Sequence, residues 1–88
     1  MYYVYILVSL KDCKFYVGFS NNLIRRIKQH QNGMVISTRH RLPIKLICYE
    51  AYLNKKDAKK RELYLKSSNG KKELKIRVKM TLESLLLS

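Results

Sequence analysis

Short apolar runs alternate along the chain with polar, mostly basic segments. The first run, Tyr2 to Val8, is β-branched and aromatic, which is strand composition. It is apolar at odd and even positions alike, so the strand is expected in the middle of a sheet, covered on both faces. Ser9 to Lys14 contains the polar turn Lys11-Asp12, and Phe15 to Phe19 follows as a second short strand. The two read as an antiparallel hairpin. Strand side chains two apart share a face, which groups Tyr16 with Gly18. A glycine there opens space beside a phenol or admits a close backbone approach. Ser20-Asn21-Asn22 offers N-caps for a helix that reaches about Asn32 and stops at Gly33. Leu23 and Ile27 define its buried stripe, yet His30 falls between them and Arg26 sits at the edge. Residues four apart on a helix differ by only about 40°, so Arg26 and His30 share a side. Polar groups facing inward are costly unless they find partners.

Met34 to Pro43 is a basic loop, and Pro43 disfavours helix at Leu42. Ile44 to Tyr52 is the third strand, with Glu50 its only acid. Asn54 caps a second helix over about Lys55 to Lys66, with Asp57 at a position resembling a capping box. Ala58 and Leu65 lie seven apart on one stripe, with Glu62 between them, while Lys59, Lys60 and Arg61 are expected to face elsewhere. Ser67 to Gly70 reads as a turn. Lys71 to Ser88 reads as a helix with Leu74, Val78, Leu82 and Leu85 inward, although Lys75 to Lys79 alternates like a strand. The expected fold class is α/β in the α+β sense. It is a small three-stranded antiparallel sheet flanked by about three helices, forming one domain over residues 1–88.

Charge changes the picture most. Nineteen Lys and Arg against six Asp and Glu give a net +13 in 88 residues. A domain this basic seeks a polyanion, and nucleic acid is the first candidate. A membrane is a poor one. The longest apolar run falls far short of the roughly 18 residues of a span, and no basic amphipathic helix carries Trp or Phe. No basic n-region precedes the first strand, so no signal peptide is expected. Cys13 and Cys48 form neither a CxxC nor a zinc spacing, and are read as reduced thiols of a cytoplasmic protein.

The polar groups expected to face inward are Tyr5, Tyr16, Arg26, His30 and Glu62. A single acid argues against a two-metal cluster and against a glycosidase pair. No Ser-His-Asp or Cys-His motif and no phosphate-binding glycine loop is present. Phosphodiester hydrolysis with one metal fits. One carboxylate holds Mg²⁺ while water and phosphate fill the other positions. Arginine stabilises charge developing on phosphate, and a tyrosine beside a cation becomes a usable base.

At these residues the chain resembles the GIY-YIG nuclease superfamily, in its small bacterial branch. Val4-Tyr5-Ile6 stands at the first motif and Tyr16-Val17-Gly18 at the second. The spacing from Gly18 puts Arg26 at the catalytic arginine and His30 at the histidine one turn later. Ala58 to Glu62 resembles the segment that supplies the metal-binding glutamate. Ser37 to Pro43 and Leu65-Lys66 look like the branch's small proteins. Val4 replaces the leading glycine, and Phe19 stands where some relatives carry a lysine.

The resemblance implies Mg²⁺-dependent cleavage of DNA, with Mn²⁺ as a substitute. Tyr5 is the expected general base, with Tyr16 supporting it or positioning water; the division between the two phenols stays open. Arg26 is expected on the scissile phosphate, His30 on the tyrosine and Glu62 on the metal. Arg25, Thr38, Arg39, His40, Arg41 and Lys66 are candidates for contacts to nucleic acid. Family members usually join the nuclease to a separate DNA-binding domain, and none is seen here, so a partner protein is one route to targeting. The competing expectation is a non-catalytic basic nucleic-acid-binding module on the same fold.

Overall fold

A computed structural model describes residues 1–86. Strand β1 (Tyr2–Ser9) is central, with β2 (Phe15–Ser20) and β3 (Ile44–Tyr52) antiparallel on either side. The expected sheet is thus present, and β3 has the expected bounds. Val4 to Val8 of β1 are buried without a break. Alternate residues of this strand feed two cores on opposite faces. Val4 and Ile6 join Val17, Ala58, Leu65 and Leu74 on one face. Tyr5 and Leu7 join Ile27 and Ile44 on the other.

Helix α1 (Leu23–Gln31) covers the second face. The Asn22 side chain accepts the Arg25 amide at its start, and Gly33 takes φ +72 just beyond its end. Helices α2 (Lys55–Leu65) and α3 (Ser68–Arg77) cover the first face. Asn54 caps α2, accepting the Lys56 amide at 2.8 Å.

The C-terminal third departs from expectation. The segment Ser67 to Gly70 opens a helix instead of forming only a turn, because the Ser67 hydroxyl accepts the Gly70 amide as an N-cap. The expected single helix after residue 71 is two, α3 and α4 (Lys79–Leu86), separated at Val78. Leu74 and Val78 are buried as expected, whereas Leu82 and Leu85 are half-buried. Residue 88, the end of the expected helix, lies outside the described residues. No helix among the described residues is long and apolar enough to cross a membrane.

Two features fix α2, which carries Glu62. A Cβ at Gly70 would overlap the Tyr64 carbonyl and the Leu65 Cα, so α3 can approach α2 this closely only with glycine at that position. A charge network also spans three elements. Arg61 of α2 donates to both Glu50 oxygens (2.9 and 3.1 Å) and to Glu73 (3.0 Å). Arg77 of α3 donates to Glu50 (3.2 Å) and Glu73 (2.8 Å). A half-covered network of this kind does more than an isolated surface pair.

Gly70→Ala is expected to lower stability by about 1–3 kcal/mol, the range for overpacking. The denaturant midpoint reads this directly. An unchanged midpoint would mean that α3 can retreat from α2 without cost.

Candidate active site

The second face of the sheet carries more than a core. In the β1–β2 register Tyr5 lies opposite Gly18, and Leu7 opposite Tyr16. A Cβ at Gly18 would overlap Cζ and Oη of Tyr5. The glycine thus makes room for the phenol of the neighbouring strand, which crosses β2 at that point. The phenol ends at His30 of α1, with Tyr5 Oη 2.8 Å from Nε2. Both side chains are almost wholly buried. The other imidazole nitrogen, Nδ1, lies 2.7 Å from Thr38 Oγ1. Tyr16 completes the cluster, its ring edge-on to the imidazole with centroids 5.1 Å apart, and Ser37 donates to its hydroxyl at 3.3 Å.

Arg26, one helical turn before His30, is half-buried, and its guanidinium donates to Gln29 at 3.1 Å. Its charge acts on both buried groups. Burial pushes the Tyr5 hydroxyl above the ordinary phenol pKa, with hydrogen bonding to Arg26 working in the opposite direction. Burial, then the Arg26 charge, hold the His30 imidazole down at about 4. His30 is therefore neutral near pH 7.

Glu62 comes from α2 on the other face of the sheet, and its charge is the least of the influences on the Tyr5 phenol. Its carboxylate is not free of its neighbours, as the helical spacing suggested. Lys66 pairs with one oxygen at 3.0 Å and Lys59 with the other at 3.5 Å. Both lysines reach the acid because they lie one turn away on either side. Lys59 also sits over the Phe19 ring, 4.2 Å from its centroid. Among the described residues no group of three or more His, Cys, Asp or Glu could hold an ion. The acid available is a single carboxylate.

Tyr5, Tyr16, Arg26 and His30 are therefore gathered into one cluster, with Glu62 within electrostatic reach. The expected nucleic-acid contacts divide. Arg25, Arg39 and His40 are exposed. Lys66 is exposed but engaged with Glu62. Thr38 is a correction: it has no exposed surface and its hydroxyl is spent on His30, so it does not face a ligand. Arg41 is another. Its guanidinium pairs with Asp12 at 2.9 Å and donates to the carbonyls of Lys14 and Phe15. It ties the basic loop to the hairpin turn instead of projecting outward. Ser9 reinforces this tie, donating to the Arg41 carbonyl at 2.6 Å while accepting the amides of Lys11 and Asp12. Thr38 and Arg41 lie between α1 and β3, where no strand or long helix gives a periodicity that sorts inside from outside.

The family model described as the GIY-YIG catalytic domain matches residues 1–75. The chain belongs to the GIY-YIG family. It is 44% identical over 77 residues to the UPF0213 protein CPE1444 of Clostridium perfringens, covering 86% of this chain and 82% of that one. It is 36% identical to the UPF0213 protein YazA of Bacillus subtilis, covering 85% and 78%. The solution NMR structure of the UPF0213 protein BH0048 from Bacillus halodurans superposes with a TM-score of 0.53 at 37% identity, over 84% of this chain and 82% of that chain. The sheet and the motif tyrosines described above are thus those of a GIY-YIG fold, from a nuclease family that acts on DNA.

The His30 environment predicts a pH dependence. Its folded pKa, about 4, is below the unfolded value near 6.5, so the unfolded chain takes up the proton first. Its contribution to stability is fully present above pH 6.5 and is lost as pH falls towards 4, by on the order of 3 kcal/mol. Glu50 and Glu73, whose folded pKa values are lowered, lose their contributions only below about 4.5. Urea midpoints between pH 7 and 5 should already decline, and the His30 imidazole resonances should stay in their neutral position through that range. A titration midpoint near 6.5 would contradict the burial argument.

Proposed function

We propose that this protein is a Mg²⁺-dependent endonuclease that hydrolyses phosphodiester bonds in DNA, with Mn²⁺ able to replace Mg²⁺. The observation that carries this reading is the buried Tyr5–His30 hydrogen bond beneath Arg26. A sheet core alone gives no reason to bury a neutral imidazole against a phenol and then place a cation beside both.

The residues divide the work as follows. Arg26 pairs with the scissile phosphate and stabilises the charge that develops there. Burial is the main cause of the low His30 pKa and the Arg26 charge the second; phosphate pairing offsets the second, which makes the imidazole a better proton acceptor when substrate is bound. Tyr5 Oη takes a proton from the attacking water as its own proton passes to His30 Nε2. Tyr16, with Ser37 on its hydroxyl, positions that water. Glu62 would hold the metal. A lone carboxylate suits Mg²⁺, which keeps several waters and takes phosphate oxygens as ligands. Lys59 and Lys66 are about half exposed and can turn aside from the acid. When bound, the ion supplies positive charge at the phosphate.

Exposed Arg25, Arg39 and His40 are the proposed contacts to the DNA backbone, joined by Lys66 when it leaves Glu62. Repair, recombination or mobile-element processing is the proposed setting, in the cytoplasm, where the free thiols Cys13 and Cys48 stay reduced. A partner protein is the proposed source of targeting. One observation favours the competing reading of a basic binding module: the Glu62 carboxylate already has two ammonium partners.

Glu62→Gln separates the two readings. For the nuclease, cleavage of a panel of duplex, branched and single-stranded DNAs should fall by roughly 10²-fold or more. Binding should stay the same or tighten. Equal cleavage in EDTA and in Mg²⁺ would remove the metal from the reaction. Binding should also weaken steeply with added salt, as counterion release requires of a chain with net charge +13. A flat salt dependence would mean that the positive charge is not what holds the DNA.

A further inference from the structure

Four side chains stand in line behind the proposed phosphate position: Arg26, Tyr5, His30 and Thr38. The direction in which protons run along this line follows from donor and acceptor inventories. Arginine has no acceptor, so the Tyr5 hydroxyl cannot donate towards Arg26. The partner within hydrogen-bonding distance of Tyr5 Oη that can accept is His30 Nε2, at 2.8 Å. A neutral imidazole with its lone pair at Nε2 carries its proton at Nδ1. That proton meets Thr38 Oγ1 at 2.7 Å, where neither residue has exposed surface.

We propose that Thr38 is a positioning residue whose Oγ1 accepts the Nδ1–H of His30, fixing the tautomer that lets Tyr5 hand its proton inward. The inference rests on the nuclease reading for its catalytic consequence, but not for the tautomer itself. In the step, a water O–H bond breaks and its proton forms a new O–H bond on Tyr5. The original Tyr5 proton forms an N–H bond at His30 Nε2, and the hydroxide oxygen bonds to phosphorus. As that bond forms, the bond from phosphorus to the departing oxygen breaks, and the departing oxygen, on the opposite side of phosphorus, takes its proton from solvent; the imidazolium holds the added proton and afterwards returns it to solvent through Tyr5. In the other tautomer, Nε2–H would point at the phenol oxygen, and Tyr5 would have nowhere to send its proton. The backbone holds Thr38 at this post: its amide donates to the Val35 carbonyl at 3.1 Å and its carbonyl accepts from the Arg41 amide at 2.9 Å.

Thr38→Val keeps the shape and removes the acceptor, and Thr38→Ser keeps the hydroxyl. ¹⁵N NMR of the metal-free, DNA-free protein should show a protonated Nδ1 and an unprotonated Nε2 in wild type and in Thr38→Ser. In Thr38→Val the Nδ1 proton loses its acceptor while Tyr5 still donates to Nε2, so the preference should weaken and a measurable fraction of protonated Nε2 should appear. Cleavage should fall about 10- to 100-fold in Thr38→Val through kcat with KM unchanged, within the range for general-base catalysis. Thr38→Ser should restore it. Protonated Nε2 in the wild type, or an unaltered tautomer in Thr38→Val, would overturn the proposal. So would a serine variant as impaired as valine. If the tautomers behave as stated but no variant, wild type included, cuts DNA, the nuclease reading fails and the tautomer assignment stands. Should Thr38→Val not fold, the wild-type and serine spectra still decide the tautomer.

Discussion

A phenol and an imidazole, both withdrawn from water, meet at 2.8 Å in the middle of this small domain, and much of the surrounding architecture follows from that contact. Each group would be costly to bury alone. Together, with Thr38 at the far nitrogen, they satisfy one another, and no buried side-chain polar atom among the described residues lacks a partner. The contact constrains three separate stretches of chain. β2 must present a glycine, because the phenol occupies the space of a side chain. α1 must carry His30 on its inward stripe next to Ile27. The loop after α1 must fold back far enough to bring a hydroxyl to Nδ1.

The same contact explains the electrostatics. Burial raises the pKa of the phenol and lowers that of the imidazole, so both groups are neutral in the free protein. A neutral pair is tolerable in a core, whereas a phenolate–imidazolium pair beside Arg26 is not, until an anion arrives. Net charge and local chemistry thus act at different ranges. The surplus of Lys and Arg favours a polyanion as partner. In the proposed reaction, the buried line of donors and acceptors would govern a single proton once a phosphate had reached Arg26.

The fold was largely readable because its signals are local. Continuous apolarity in β1 and alternation and caps elsewhere each act over a few residues. Tyr5, Tyr16, Arg26 and His30 were named together through the resemblance carried by the motif spacing, added to these faces. What stayed hidden depends on contacts between distant segments. The role of Thr38 requires that residue 38 fold back onto residue 30 within an irregular loop. The outward arginine expected at position 41 turns back because Asp12, across the molecule's surface, offers it a carboxylate. Glu62 was placed on the correct stripe, but long lysine side chains bend around a helix more freely than its angular spacing implies. The close passage of α3 over α2 was likewise invisible, since Gly70 reads locally as a turn residue.

The clasp between Arg41 and the hairpin turn bears on where this sequence is free to vary. Tips of two-stranded ribbons ordinarily absorb insertions and deletions without harm. Here the segment around Asp12 is moored, through Arg41 and Ser9, to the loop that supplies the hydroxyl behind the imidazole. Lengthening that tip would drag on the interior from outside. Accessibility is therefore a poor guide to mutational latitude at this end of the molecule, and drift there is expected to be confined to side chains, with the length of the turn held constant.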